Sequence, residues 1–217
     1  MDKLARNSVS ALAGISKVNG FEFRPMNSKH EIREAQRLLY RCYKTESNWK
    51  IPHSNPSNIN IYRSNSGHEL TDDHSYEAAW FGAYNEKTLI GCFRVLVNLE
   101  LPKYIDLPSE LQILSTELNR LAIESKYRKH RIITLMLLRT AFDYAFSVGP
   151  VVYVTAENPE PSGMFQRMGL IRYDFEPFKY HNTDPSPVDI LFYDTRKYDR
   201  YSTSLYKLTS RFMCSER

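Results

Sequence analysis

The chain has 217 residues, 42% hydrophobic and 25% charged, which is enough for one domain with its own core and excludes a disordered or fibrous polypeptide. Twenty-nine Lys and Arg against 25 Asp and Glu leave a net charge of +4, too small for a dedicated nucleic-acid binder but enough to favour an acidic partner where basic residues cluster. Three cysteines, Cys42, Cys92 and Cys214, are odd in number and lack metal-ligand spacing, so neither a disulfide framework nor a metal site is expected. No apolar run approaches the roughly 18 residues that span a bilayer, and the first residues lack a signal-peptide core; a cytoplasmic location without a transmembrane segment is expected.

Residues 1–20 are polar and weakly patterned, with a short helical pattern at 9–15, and read as an extension without chemistry, either loose or ordered in part. Residues 21–217 read as a single domain. Phe21-Glu22-Phe23-Arg24 alternates as a strand does, and Ser28 with Glu31 has capping-box spacing ahead of Ile32, Ala35, Leu39, Cys42 and Tyr43. An amphipathic helix is therefore predicted. From Trp49 to His68 the composition turns to Asn, Ser, Pro and Gly, which predicts a long structureless connection, with 50–75 as a flap over a site. Residues 78–84 (AAWFGAY) and 89–97 (LIGCFRVLV) predict a hairpin about Asn85-Glu86-Lys87, with Arg94 inside its second strand.

Pro102 and Pro108 break the connection that follows, and a strand is predicted at 116–123. Within it Glu117, Asn119 and Arg120 interrupt Leu118, Leu121, Ala122 and Ile123, and buried charge is costly unless it is paired or used. Ile132, Leu135, Leu138, Phe142 and Ala145 then repeat at helical spacing up to Gly149-Pro150. A short strand at 151–155, a short helix within 159–170 closed at Gly169, a last strand at 188–193 and a Tyr-rich end complete the chain. This order excludes uniform βαβ alternation and predicts an α/β fold with a mixed central sheet flanked by helices.

The order, with the segment GMFQRMGL after the fifth strand, resembles the GCN5-related N-acetyltransferase fold, whose members move an acyl group from a thioester to an amine. The run Glu117-Leu118-Asn119-Arg120-Leu121-Ala122-Ile123 resembles the strand-four signature of the acyl-homoserine-lactone synthases, and Arg37, Arg41, Trp49, Glu69, Asp72, Asp73 and Arg94 fall in that family's order. Coenzyme A-dependent members carry spaced glycines after strand four, whereas this chain has Arg128-Lys129-His130-Arg131-Ile132-Ile133, too bulky for a close pyrophosphate cradle. A basic helix N-terminus can still hold the single phosphate of a phosphopantetheine arm. Lys126, Arg128, Lys129 and Arg131 would suit an acidic acyl carrier protein. The long loop, the missing glycines and the Tyr-rich end resemble the long-chain N-acyl amino acid synthases, including those known from environmental DNA that form N-acyl-tyrosine. That resemblance implies acyl transfer from the acyl-phosphopantetheine of acyl carrier protein to the α-amine of an amino acid, tyrosine in those members, without a tightly bound cofactor. The broader resemblance to the acetyltransferase family implies, four residues before the Gly of the short helix, a Tyr that protonates the leaving thiolate, where this chain has Phe165.

Two readings stand for each candidate. Glu117 is a general base acting through a water, or it only pairs with Arg94 or Arg120. Arg94 and Arg120 hold the amino-acid carboxylate, or they tie down Asp72, Asp73 or Glu69 and order the flap. A bulge between Glu117 and Arg120 is expected to bring both to one face and free an oxyanion donor, with Asn119 between them. Trp49 lines the substrate pocket or plugs the core. Arg37 and Arg41 are solvated or pair with the flap, and His53 and His130 are exposed. Leu135, Met136, Phe142 and Phe146 are core or border an acyl tunnel, which Tyr193, Tyr198, Tyr201 and Tyr206 could cap. The rival functions are a homoserine-lactone synthase using S-adenosylmethionine, a coenzyme A-dependent acetyltransferase and a non-catalytic carrier- or lipid-binding module.

Overall fold

Among the described residues eight strands hydrogen-bond into one sheet, because apolar and β-branched runs recur along the chain with turn residues between them. The structure, a computed structural model, describes residues 14–51, 55–97, 106, 109, 115–157, 159–179 and 186–213; the helical pattern at 9–15 lies mostly outside these, and His53 wholly. The elements are β1 (Ser16–Val18), β2 (Phe21–Pro25), α1 (Lys29–Leu39), a π-helix (Tyr40–Glu46), β3 (Asn60–Ser64), β4 (Gly67–Thr71), β5 (Ala79–Asn85) and β6 (Thr88–Leu96). They continue as β7 (Ser115–Ile123), α2 (Arg131–Val148), β8 (Val151–Glu157), α3 (Glu160–Arg167), β9 (Ile171–Arg172), β10 (Val188–Asp194) and α4 (Ser204–Met213). The sheet runs β1-β2-β5-β6-β7-β8-β10-β9, antiparallel except where β7 and β8 lie parallel.

Two local readings are corrected and one is sharpened. Within the N-terminal extension residues 16–18 are ordered: they pair with β2 through Asn19-Gly20, whose φ values of 52° and 80° make the tight turn that Asn-Gly favours. The stretch from Trp49 to His68 is not structureless throughout, because β3 and β4 pair from Asn60↔Thr71 to Ser64↔Gly67 as a separate hairpin. The first helix does not run on as α-helix through Tyr43 but widens after Leu39 into the π-helix. Its start is as predicted: Ser28 and Glu31 form the capping box, and Glu31 also accepts from Arg24 Nη1 at 2.6 Å.

The two faces of the sheet bury different partners. α2, α3 and α4 cover one face, where Phe81, Phe93, Val95, Leu118, Met136, Leu137, Phe142, Val152, Phe165 and Tyr206 form the largest apolar cluster. α1, the π-helix and the β3–β4 hairpin cover the other, around Trp80, Cys92, Leu38, Leu39 and Leu70. Period-two alternation along β6 sends Phe93 and Val95 to the first face and Cys92 and Arg94 to the second.

α3 closes at Gly169, as the sequence predicts, with φ at +109°. A Cβ there would lie 2.9 Å from Thr203, so the position excludes side chains by both conformation and space. Gly169→Ala is expected to destabilise the protein by about 1–3 kcal/mol, measured as a fall in the denaturant midpoint at constant slope.

Candidate active site

β7 and β8 pair in parallel from Ser115↔Val151 to Leu118↔Val154 and then stop pairing, although β7 continues to Ile123 and β8 to Glu157. The cause lies in β7. Against β6, Asn119 faces Arg94 and Ala122 faces Cys92, so Arg120 and Leu121 together oppose Phe93. This is a β-bulge, and its first residue, Arg120, has φ +60°. The bulge expected between Glu117 and Arg120 therefore sits at Arg120 itself. A left-handed backbone at a β-strand arginine is strained, and the strain is held by what the side chain grips.

That grip is a buried chain of polar contacts on the α1 face. Asn119 Nδ2 donates to Glu117 Oε1 at 3.1 Å, and Arg94 Nε donates to Asn119 Oδ1 at 2.8 Å. Arg94 Nη1 donates to Asp72 Oδ1 at 2.6 Å and Oδ2 at 2.8 Å, while Arg120 Nη2 reaches Asp72 Oδ2 at 3.0 Å. Arg94 is 0% exposed and Glu117 2%. The carboxylate between the two arginines is thus the protein's own Asp72, at the end of the β3–β4 hairpin, and the flap-ordering reading describes this arrangement. Burial alone pushes Asp72 up, but Arg94 and Arg120 outweigh it and hold its carboxyl well below the usual carboxylate range. Asp72 also accepts from the His74 backbone N–H, and its own N–H donates to Ser75 Oγ, which closes the turn.

Other candidates divide. Glu69 pairs with Arg37 at 2.8 Å, not with Arg94 or Arg120, and Arg41 is exposed. Asp73 is exposed, accepts from Asn58 and does not line the site. Trp49 is half-buried, lines the cavity and sets its ring edge against Tyr43, with centroids 5.8 Å apart. Lys126 pairs with Glu124; Arg128 pairs with Glu46 and donates to the Ile123 carbonyl at 2.8 Å, so it struts the turn as well as charging it. Lys129, Arg131 and His130 are exposed. The Arg131 and Ile133 N–H groups are already bonded to the Lys129 and His130 carbonyls, which narrows the room for a pyrophosphate cradle. Tyr193 and Tyr206 are buried core residues, Tyr198 and Tyr201 are exposed, and none of the four lines the cavity, which corrects the capping expectation.

Where β7 and β8 part, a cavity of about 360 Å³ opens. Glu117, Asn119, Arg120, Tyr43 and Trp49 contribute to its wall, as do Phe93, Leu118, Val154, Met164, Phe165 and Val188. It therefore has both a polar and an apolar lining, drawn from residues of both sheet faces. Tyr43 is one of the lining residues that sequence reasoning missed: it reads as a core position of α1, and from the π-helix its hydroxyl donates to the Leu121 carbonyl at 3.1 Å. Burial pushes the Tyr43 phenol up, so it is neutral at physiological pH.

No family model matches the sequence, and no curated protein matches it. Solved structures do. FeeM, an N-acyl amino acid synthase from uncultured soil microbes, is similar over 87% of this chain and 97% of its own, with 14% identity and a TM-score of 0.60. The coenzyme A-dependent acyl-homoserine lactone synthase BjaI is similar over 87% of this chain and 85% of its own, with 12% identity and a TM-score of 0.60. Escherichia coli ElaA is similar over 80% of this chain and 99% of its own, with 15% identity and a TM-score of 0.53. At such identities the likeness shows the fold, which is the GCN5-related N-acetyltransferase fold predicted from the order of elements.

Asp72→Asn leaves two arginines without their shared counterion and is expected to cost about 3–5 kcal/mol, read by denaturant unfolding. An aspartate held low in the folded state stabilises fully above its unfolded value of about 4, and the contribution is lost as pH falls through the lowered folded value. The wild type should therefore lose stability below about pH 4, with the difference from Asp72→Asn shrinking over that range.

Proposed function

We propose that the chain is an N-acyltransferase that joins a long acyl group, delivered as the phosphopantetheine thioester of acyl carrier protein, to the α-amine of an amino acid, tyrosine being the acceptor that the resemblance favours. The observation that carries this reading is the two-natured cavity at the β7–β8 split, with a buried carboxylate in its wall. The strands part after Leu118 and Val154, and Asn119–Leu121 and Thr155–Glu157 line the cavity that opens between them, a slot suited to an extended pantetheine arm. The apolar lining suits an acyl chain and keeps the thioester dry.

The chemistry needs a neutral amine. Glu117, directly or through a water, takes the proton from the substrate ammonium, and Asn119 holds its carboxylate in place. The amine nitrogen then attacks the thioester carbonyl: a C–N bond forms, the C–S bond breaks, and the thiol leaves with one proton. Phe165 supplies none, so the proton released by the amine balances the one that the thiol carries away. The bulge at Arg120 supplies irregular backbone in the cavity wall, which suits an N–H donor to the tetrahedral oxyanion. Lys126, Arg128, Lys129 and Arg131 lie on the turn that leads into α2 and suit the acidic surface of a carrier protein.

Mass spectrometry of lipid extracts from a bacterial host tests the reading. Expression of the chain should add long-chain N-acyl amino acids, and Glu117→Gln should lower them by about 100-fold or more, the scale of a lost general base. Homoserine lactones in their place would make S-adenosylmethionine the acceptor. Reversing Lys126, Lys129 and Arg131 to Glu should weaken carrier-protein binding at low salt, with a smaller difference at high salt, where screening already suppresses the attraction. Calorimetric titration with acyl carrier protein checks this, and unchanged binding at low salt would remove the patch.

A further inference from the structure

The C-terminal segment after β10 has no place in the acyl-transfer reading, yet its surface is unusual. Between residues 195 and 213 five basic residues stand against one acidic residue, Asp199, which caps the following turn by accepting from the Tyr201 N–H; of the five, Arg196 is held by Asp194 of β10 at 2.8 Å. α4 turns Leu205, Tyr206 and Thr209 inward and Ser204, Lys207, Leu208 and Arg211 outward, so that its solvent stripe carries two cations and a leucine. Leu208 is 43% exposed. Immediately before the helix, Tyr198 is 43% and Tyr201 58% exposed, next to exposed Lys197.

The segment is rigidly mounted, which distinguishes it from a loose tail. Tyr206 donates to Asp143 Oδ1 at 2.6 Å, and Arg139 of α2 reaches Thr209 Oγ1 at 2.9 Å with its guanidinium 3.8 Å from the centre of the Tyr206 ring. These anchors lie near the middle and last third of α2. The basic turn proposed for the carrier protein lies at the start of that helix, about 18 Å away along the axis at 1.5 Å per residue from Arg131 to Asp143. At its other side, Thr203 packs on Gly169 at the end of α3, which walls the cavity.

We infer that the outward face of α4, with Tyr198 and Tyr201, docks the protein on an anionic lipid surface. Cations of Lys and Arg beside exposed tyrosines and a leucine match both layers of such a surface, charged headgroups outside and an aromatic-favouring interface beneath. An acidic protein would satisfy the charges alone. This inference goes beyond the acyl-transfer reading and does not depend on it, since binding is measured without turnover.

The test is cosedimentation of the full chain with vesicles of phosphatidylcholine, with and without phosphatidylglycerol. Binding is expected to the vesicles containing phosphatidylglycerol only, and to fall at high salt. Each basic residue near an anionic surface contributes about fivefold, so Lys207→Gln with Arg211→Gln should weaken binding about 30-fold. Tyr198→Ser with Tyr201→Ser should weaken it at both salt concentrations. Lys207 and Arg211 are outward, so unchanged thermal unfolding is expected of the Gln variant; the Ser variant also loses the ring contacts of Tyr198 with Tyr193 and of Tyr201 with Tyr206, and its binding is compared at a temperature well below its own unfolding midpoint. No binding to the anionic vesicles, or equal binding by the Gln variant, would overturn the inference. If that variant kept vesicle binding and lost binding to acyl carrier protein instead, the face would be a protein dock and the inference would fall.

Discussion

Asp72 sits between the guanidinium groups of Arg94 and Arg120, and these three side chains come from the end of the β3–β4 hairpin, from β6 and from β7. A buried guanidinium without a counterion costs several kcal/mol, so each element is held to the others by the need to keep the charges together. Glu117 is tied to this group through Asn119, which bonds both it and Arg94. The pull on Arg120 holds a left-handed residue inside a strand, and the bulge that results turns β7 away from β8. The cavity opens where the bulge and these ion pairs meet.

The same constraint explains why the cavity has two characters. Alternation along β7 places Leu118 on the face packed by α2 and Glu117 and Asn119 on the face packed by α1, and the parting strands open the sheet at that row. The π-helix adds Tyr43 from the α1 side, where its hydroxyl holds the Leu121 carbonyl within the bulge. α3 adds Met164 and Phe165 from the other. The cavity thus has a polar wall from the α1 side and an apolar wall from the α2 side.

Much of this was legible in the sequence where one physical rule dominated locally. The capping box at Ser28 and Glu31, the hairpin turn at Glu86-Lys87, the helix closed at Gly149 and the stop at Gly169 are local signals, and each marks an element end in the structure. The charges of β7 were legible as anomalies, and the pairing of Arg94 and Arg120 with Asp72 was one of two readings. The choice between them was not legible, because it depends on the fold of a distant hairpin. That hairpin was hidden by its composition: Asn60, Arg63, Ser64, His68 and Glu69 give β3 and β4 little apolar alternation, and of their residues Leu70 joins the core, with Ile59 just ahead of β3. The π-helix was hidden for a different reason, since its apolar positions continue the spacing of α1. Asn19-Gly20 was a turn signal passed over within a polar segment.

The central claim is that the split sheet joins an acyl thioester to an amine. Its most direct test is a reaction of the purified protein with a long-chain acyl carrier protein and free amino acids, in which liberated thiol and new amide are both counted. The account predicts equal amounts of thiol and N-acyl amino acid, and loss of both in Glu117→Gln. Thiol released without amide, or transfer only of acetyl groups from acetyl coenzyme A, would contradict it.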